Sequence, residues 1–332
     1  MIASSNIPST SNTHPAPDNP VVKEIERRLG LLKEGRALGG LNTKLGLVVE
    51  GGGMRGVVSG GALIAMERVG LTSVFDEVYG ESAGAINACY FLAGKAAFGA
   101  RIYLEDLTSF RFINPLRRGK ILDVDFLIDE VMTSIKSLPV ERVMQSRSRL
   151  FVSITNAADG TGRVVDVKKE SPPLLALLKA TAAIVPLYNS SVLLEGVPYV
   201  DGGITNPIPV RNAINNDCTH ILVLLTRPMG FVARPAQGVK RFVLERWLRG
   251  WDPRFGACLL QRALAPLQRG TRDCLRPGRC AQRHRDRGHC ADRQGTARDP
   301  TDDQSEAPRR CHAGQYRVDH GAFWRALVRF PC

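Results

Sequence analysis

Apolar and polar positions along this chain fall into repeated strand–turn–helix units. Residues 44–50 (Lys-Leu-Gly-Leu-Val-Val-Glu) form a short apolar run with β-branched side chains, which predicts a buried strand. It leads directly into Gly51-Gly52-Gly53-Met54-Arg55-Gly56, and 57–69 then reads as a helix. A second unit follows at 74–88, where an apolar run meets Gly80-Glu81-Ser82-Ala83-Gly84 and a helix-forming stretch continues. Two such units in succession place both glycine turns at the carboxyl ends of neighbouring parallel strands, the edge where open α/β sheets keep their sites.

The other segments fit around these units. Val22, Ile25, Leu29 and Leu32 recur at helical spacing within 21–38, an amphipathic helix expected to pack on the domain rather than on a membrane. Residues 92–120 read as helical, then irregular, and Phe98, Tyr103, Phe110 and Phe112 are expected in the core rather than along a lipid groove. Residues 125–137 predict a helix, and 150–155 with 163–167 a hairpin around 158–162. Ser171-Pro172-Pro173 opens a helix through Ala183, whose small-residue end at 180–183 suits close packing. A short strand at 197–200 ends in Asp201-Gly202-Gly203, and Asn206-Pro207 begins a helix to about Ile214. A strand at 220–226 and a helix at 240–249 complete the pattern.

Composition changes this picture at the ends. Residues 1–20 are Ser/Thr/Asn/Pro-rich and read as disordered. The formal charge is +13, but sixteen arginines against eight acids from Arg254 onward put +8 of it in the tail. That tail also lacks lysine and carries six of the eight cysteines, so a shift of reading frame near 255–257 is the favoured explanation. Cys280, His284, His289 and Cys290 have no familiar zinc spacing, and no aromatics interleave the arginines as nucleic-acid binding would ask. The expected organisation is a disordered start at 1–20, a helix and linker at 21–43, a catalytic domain at 44–250 and an atypical tail at 254–332. Only Cys89 and Cys218 precede the tail, and neither a signal peptide nor an apolar run of membrane-spanning length is visible, which suggests a cytoplasmic setting.

The turns carry the candidate chemistry. Gly80-x-Ser82-x-Gly84 between strand and helix has the context of a nucleophile elbow. The hexapeptide 51–56 also satisfies G-x-G-x-x-G, but the acid due about 20 residues later, Asp76 or Glu77, falls early in the next strand instead of at its end. No G-K-[ST] follows, so it is no Walker loop. Its glycines instead offer a row of backbone N–H donors suited to an oxyanion. Arg55 has two uses open to it, supporting an anion or bracing the loop. A serine needs a base. His220 opens its strand at the opposite end of the sheet and His14 lies in the disordered start, so Asp201, uncrowded by Gly202 and Gly203, is the candidate partner.

The ordered set G-G-G-x-R-G, G-x-S-x-G and D-G-G with a following N-P, spanning 44–249, resembles the patatin-like phospholipase family. The resemblance implies a three-layer α/β/α domain with a mostly parallel sheet. It implies Ser82 as nucleophile, Asp201 as proton acceptor and the loop Gly51, Gly52, Gly53, Met54, Arg55 and Gly56 as oxyanion hole. It further implies a lipid acyl hydrolase of phospholipase A type, needing no metal or organic cofactor. A lipid or phospholipid substrate and peripheral membrane contact are then the expected partners, and nucleic acid is not. The competing reading is an inactive adaptor that works through its basic charge.

Overall fold

Side-chain alternation along the strands builds the layers. The computed structural model describes residues 19–117, 120–228, 231, 246, 255–256 and 312–316. The first half of the chain holds α1 (Pro20–Lys33), β1 (Leu45–Val49), a 3₁₀ turn at Gly53–Arg55, α2 (Gly56–Arg68), β2 (Glu77–Glu81), α3 (Ser82–Leu92), α4 (Ala96–Ala100), α5 (Ile102–Glu105), a π-type helix at Phe126–Ile135 and α6 (Val140–Gln145). Then come β3 (Arg149–Asn156), β4 (Gly162–Asp166), α7 (Val167–Glu170), α8 (Leu174–Ala182), β5 (Val192–Leu194), β6 (Val197–Asp201), α9 (Val210–Asn215), β7 (His220–Leu224) and β8 (His312–Tyr316).

Leu45, Leu47 and Val49 of β1 point into one core, with Val78, Leu150, Val152, Ile154, Leu222 and Leu224 of the neighbouring strands. Helices α2, α3 and α8 close that side through Leu63, Met66, Ala85, Ala88, Leu177 and Leu178. Val48, Tyr79, Phe151, Ile221 and Val223 face the other way, under Val210 and Ala213 of α9. A sheet covered on both faces has no polar side, which is why β1 and β7 read as continuous apolar runs. The result is a three-layer α/β/α domain. Burying each Val, Leu or Ile side chain here contributes about 1.5–3 kcal/mol.

The sheet order is β5-β6-β3-β2-β1-β7-β8, with β4 also on β3. Strands β1, β2, β3, β7 and β8 are parallel, whereas β4 and β6 run antiparallel to β3. Val152 pairs with both Gly80 of β2 and Val165 of β4, and Ile154 with both Arg163 of β4 and Asp201 of β6. Strand β4 therefore takes one edge of β3, while β2 and β6 share the other. They meet end to end, where Glu81 pairs with Ser153 and Asp201 with Ile154.

Several sequence expectations are corrected here. Asp201 reaches the carboxyl edge from the opposite direction to the parallel strands, because β3 outruns β2 and leaves pairing positions that β6 fills. The helix expected from Asn206-Pro207 starts only at Val210. Pro207 and Pro209 disfavour helical geometry at the residue before each of them. The helix expected at 125–137 has π-type winding, with Lys136 N–H donating to the Val131 carbonyl at 2.6 Å. Within the tail, 312–316 forms a strand where none was expected, and backbone pairing to the open edge of β7 does not require an apolar pattern. The helix expected at 240–249 lies outside the described residues except Arg246, which is helical. The start 1–18, and the tail apart from 255–256 and 312–316, also lie outside them.

Helix α1 packs on the domain, as its spacing predicted. Its fully buried Arg28 donates to Glu24 at 2.7 Å, Asp76 at 2.6 Å and the carbonyls of Val74 at 3.0 Å and Thr43 at 2.6 Å.

Candidate active site

Strand β2 passes straight into α3, and glycine is needed on both sides of the turn. A Cβ at Gly80 would lie 2.6 Å from Ala85 Cα, and one at Gly84 would lie 2.4 Å from the Val49 carbonyl oxygen. Ser82, at the turn, has φ +50°, a left-handed conformation that costs a non-glycine residue on the order of 1–2 kcal/mol. Helix α8 holds it there. The Ser82 N–H donates to Thr181 Oγ1 at 2.8 Å, and the Thr181 hydroxyl donates to the Ser153 carbonyl at 2.6 Å. The small-residue end of α8 thus packs beneath the elbow.

Asp201 is buried beside Ser82. Its Oδ1 accepts the Gly203 N–H at 2.7 Å, while Oδ2 is buried without a hydrogen-bond partner. A Cβ at Gly202 would be 2.1 Å from the Ser153 carbonyl oxygen, so the D-G-G turn fits tightly against β3. Burial pushes the Asp201 carboxyl up to about 6, against the lowering effect of the Ser82 hydroxyl, the Gly203 amide and Glu81. Glu81 is equally buried. Its carboxyl is raised well above the ordinary range, first by burial and then by the Asp201 charge.

The glycine loop is narrower as a donor set than its sequence implied. The Gly51 N–H donates to Glu81 Oε1 at 3.1 Å, the Arg55 N–H to the Gly52 carbonyl at 3.2 Å and the Gly56 N–H to the carbonyls of Gly53 and Met54. Those bonds leave out the amides of Gly52, Gly53 and Met54. Gly52 and Gly53 have φ values of 125° and 59°, a region that favours glycine. The exposed Arg55 folds its guanidinium over Gly52. Asn87 of α3 donates to the Gly56 carbonyl at 2.8 Å and fixes the far end of the loop.

Ser82, Gly53 and Met54 open onto an apolar pocket of about 580 Å³, counting its mouth. Ile86, Leu107, Leu127 and Ile184 line it, and no charged side chain does. Tyr103 and Phe112, expected in the core, are buried but form part of this wall; Phe110 is exposed. A periodic pattern records only that a side chain leaves water, which a core and a groove do alike.

Other candidates separate from this centre. His220 opens β7 at the amino edge of the sheet, and His312 pairs with it in register. Asp76 precedes and Glu77 begins β2 at that same edge, away from the glycine loop. Asp76 is tied to Arg28 and Arg147, each at 2.6 Å, and Glu77 to Lys44 at 2.8 Å and Arg149 at 3.1 Å. The ribose-binding acid of a dinucleotide fold is thus missing. No His/Cys/Asp/Glu cluster able to hold a metal occurs among the described residues. Sequence reasoning missed Thr181 and Glu81. A lone polar residue within 180–183 was the one available signal for Thr181, and nothing in the pattern marks Glu81 as buried.

The profile of the patatin-like phospholipases matches residues 47–214, just over half the chain and all of this site. The chain belongs to the patatin-like phospholipase family. This family member is similar to the protein YjjU of Escherichia coli, 30% identical over 213 residues that cover 62% of this chain and 57% of that one. It is also similar to human patatin-like phospholipase domain-containing protein 2, 28% identical over 145 residues, covering 42% and 27%. The chain thus spans little over half of one relative and about a quarter of the other. The crystal structure of VipD from Legionella pneumophila aligns with 49% of this chain and 46% of its own, at 12% identity and a TM-score of 0.39.

Proposed function

We propose that this patatin-like protein is a lipid acyl hydrolase of phospholipase A type that works through a Ser82–Asp201 dyad. The observation that carries the reading is a strained serine at the floor of an uncharged apolar pocket, beside a buried carboxylate with an unpartnered oxygen. Ser82 Oγ attacks the acyl carbonyl carbon while its proton passes to Asp201. The amides of Gly52, Gly53 and Met54 receive the oxyanion, a type of contact in which one donor is worth roughly 100- to 1000-fold in rate. Asp201 then returns the proton to the departing alcohol, and water releases the acyl group by the same steps. A carboxyl near 6 is a stronger base than an ordinary one and is still ionised at neutral pH.

The pocket would take the acyl chain. Met54 is exposed at its wall, and the exposed Leu187 accepts a backbone bond from the lining residue Leu122, so this rim is the surface for peripheral membrane contact. Among the described residues, no helix is long and apolar enough to cross a membrane. Fluorophosphonate labelling mapped by mass spectrometry tests the dyad: label on Ser82, absent from Ser82→Ala, is expected. A folded protein that takes up no label is the adaptor instead.

A further inference from the structure

Glu81 sits between the two halves of the site. Strands β2 and β6 meet end to end, so their last residues, Glu81 and Asp201, face each other. Glu81 Oε1 accepts the Gly51 N–H at 3.1 Å, while Glu81 Oε2 and Asp201 Oδ2 are both buried with no hydrogen-bond partner. A Cβ at Gly203 would lie 2.8 Å from Asp201 Oδ1 and 3.0 Å from Glu81 Oε2, so the two carboxyls converge on one small space. The other charged groups acting on Glu81 are Glu50, whose Oε2 accepts the Thr226 N–H at 2.6 Å, and the exposed Arg55. Arg55 turns over Gly52 and makes no ion pair with either carboxyl. Two anions held together without a cation are strongly unfavourable, and like-charged carboxyls in such a site retain a proton.

We propose that Glu81 is a positioning residue, which ties the base Asp201 to the glycine loop through one proton shared between the two carboxyls. This rests on the dyad reading above. The pair carries one negative charge at rest. It takes up the Ser82 proton as the Oγ–acyl bond forms, becoming neutral, and gives a proton to the leaving oxygen as the ester bond breaks, so the shared proton is not consumed. Meanwhile Glu81 Oε1 holds the Gly51 amide, which sets the neighbouring Gly52, Gly53 and Met54 amides relative to Ser82. Loss of the shared proton at alkaline pH leaves two repelling anions and frees the loop.

The experiment compares wild type, Glu81→Gln and Glu81→Ala by the pH dependence of Ser82 labelling, by infrared spectroscopy and by thermal melting. Glutamine can accept from Gly51 and donate to Asp201 but has no proton to lose. Glu81→Gln is therefore expected to keep the wild-type order of labelling rate at neutral pH and to lack the alkaline fall, while Glu81→Ala drops roughly 100-fold through misplacement of the loop. The wild type should show the infrared band of a neutral carboxylic acid at neutral pH, absent in Glu81→Gln. A carboxyl raised in the folded state loses its stabilising contribution as pH rises through its native value, so Glu81→Gln should melt progressively above wild type toward alkaline pH. An alkaline fall that persists in Glu81→Gln, or no Glu81 acid band, overturns the proposal. If the band and the melting difference are present but Ser82 never labels, the dyad reading fails and the shared proton stands.

Discussion

At the amino end of β2, Arg28 is fully buried among Glu24, Asp76 and two carbonyls; at the carboxyl end, Glu81 and Asp201 are buried with no cation among the described residues paired to them. The first cluster is what a fold does with charge it must enclose, matching each donor to an acceptor. Burial alone would raise Glu24, but bonds from Arg27, Thr43 and Arg28 outweigh it and hold that carboxyl at about 2. In the second cluster burial wins, and Asp201 rises to about 6. Similar concealment with opposite compensation separates the ion cluster at one end of β2 from the proposed proton-transfer site at the other.

The contrast breaks most sharply at Asp201. Asp201→Asn is expected to lower kcat/KM for an acyl ester by about 10⁴-fold, measured beside fluorophosphonate labelling. The same variant should melt a few degrees higher than wild type at pH 8 and nearly level with it at pH 4. The sign follows from a raised carboxyl, whose contribution to stability is lost as pH rises through about 6. Glu24 has the reverse sign: its stabilisation is present above its ordinary value of 4.5 and is lost as pH falls toward about 2.

Arg28→Met attacks the paired cluster. Taking the buried guanidinium from Glu24, Asp76 and the Val74 and Thr43 carbonyls, with Arg27 and Arg147 still bonded to the two carboxylates, should cost about 2–4 kcal/mol in denaturant unfolding, while turnover per folded molecule stays at the wild-type value. A loss of turnover without a loss of stability would erase the distinction between the two ends. A smaller effect comes from pH alone: with Asp201 near 6, kcat/KM at pH 5 should be about tenfold below its plateau. The smallest test is Leu127→Trp, which crowds the pocket wall. It should reduce kcat/KM for a long-chain ester by about tenfold and leave an acetyl ester nearly unchanged.

Much of this architecture was legible in the chain. The runs at 44–50 and 220–226 announced buried strands because both faces of the sheet are covered, and Gly80 and Gly84 announced the elbow because nothing larger fits. Tyr103 and Phe112 are in the core as expected and also line the pocket, because a pocket wall and a packed core share one apolar signature, whereas Phe110 is exposed. The site donors were only partly legible. A row of glycines promises free amides, but which of them are spent depends on Glu81 and on the 3₁₀ turn that follows.

The sequence by itself determined the two strand–turn–helix units, the strained serine turn and the acid at the end of a short strand, because these rest on local sterics and periodicity. Tertiary structure alone decided how they meet. Strand β6 runs antiparallel into the pairing positions that β2 leaves open on β3, and that end-to-end meeting brings Asp201 to Ser82 and Glu81. Its burial there, which no local pattern encodes, raises the Asp201 carboxyl to about 6.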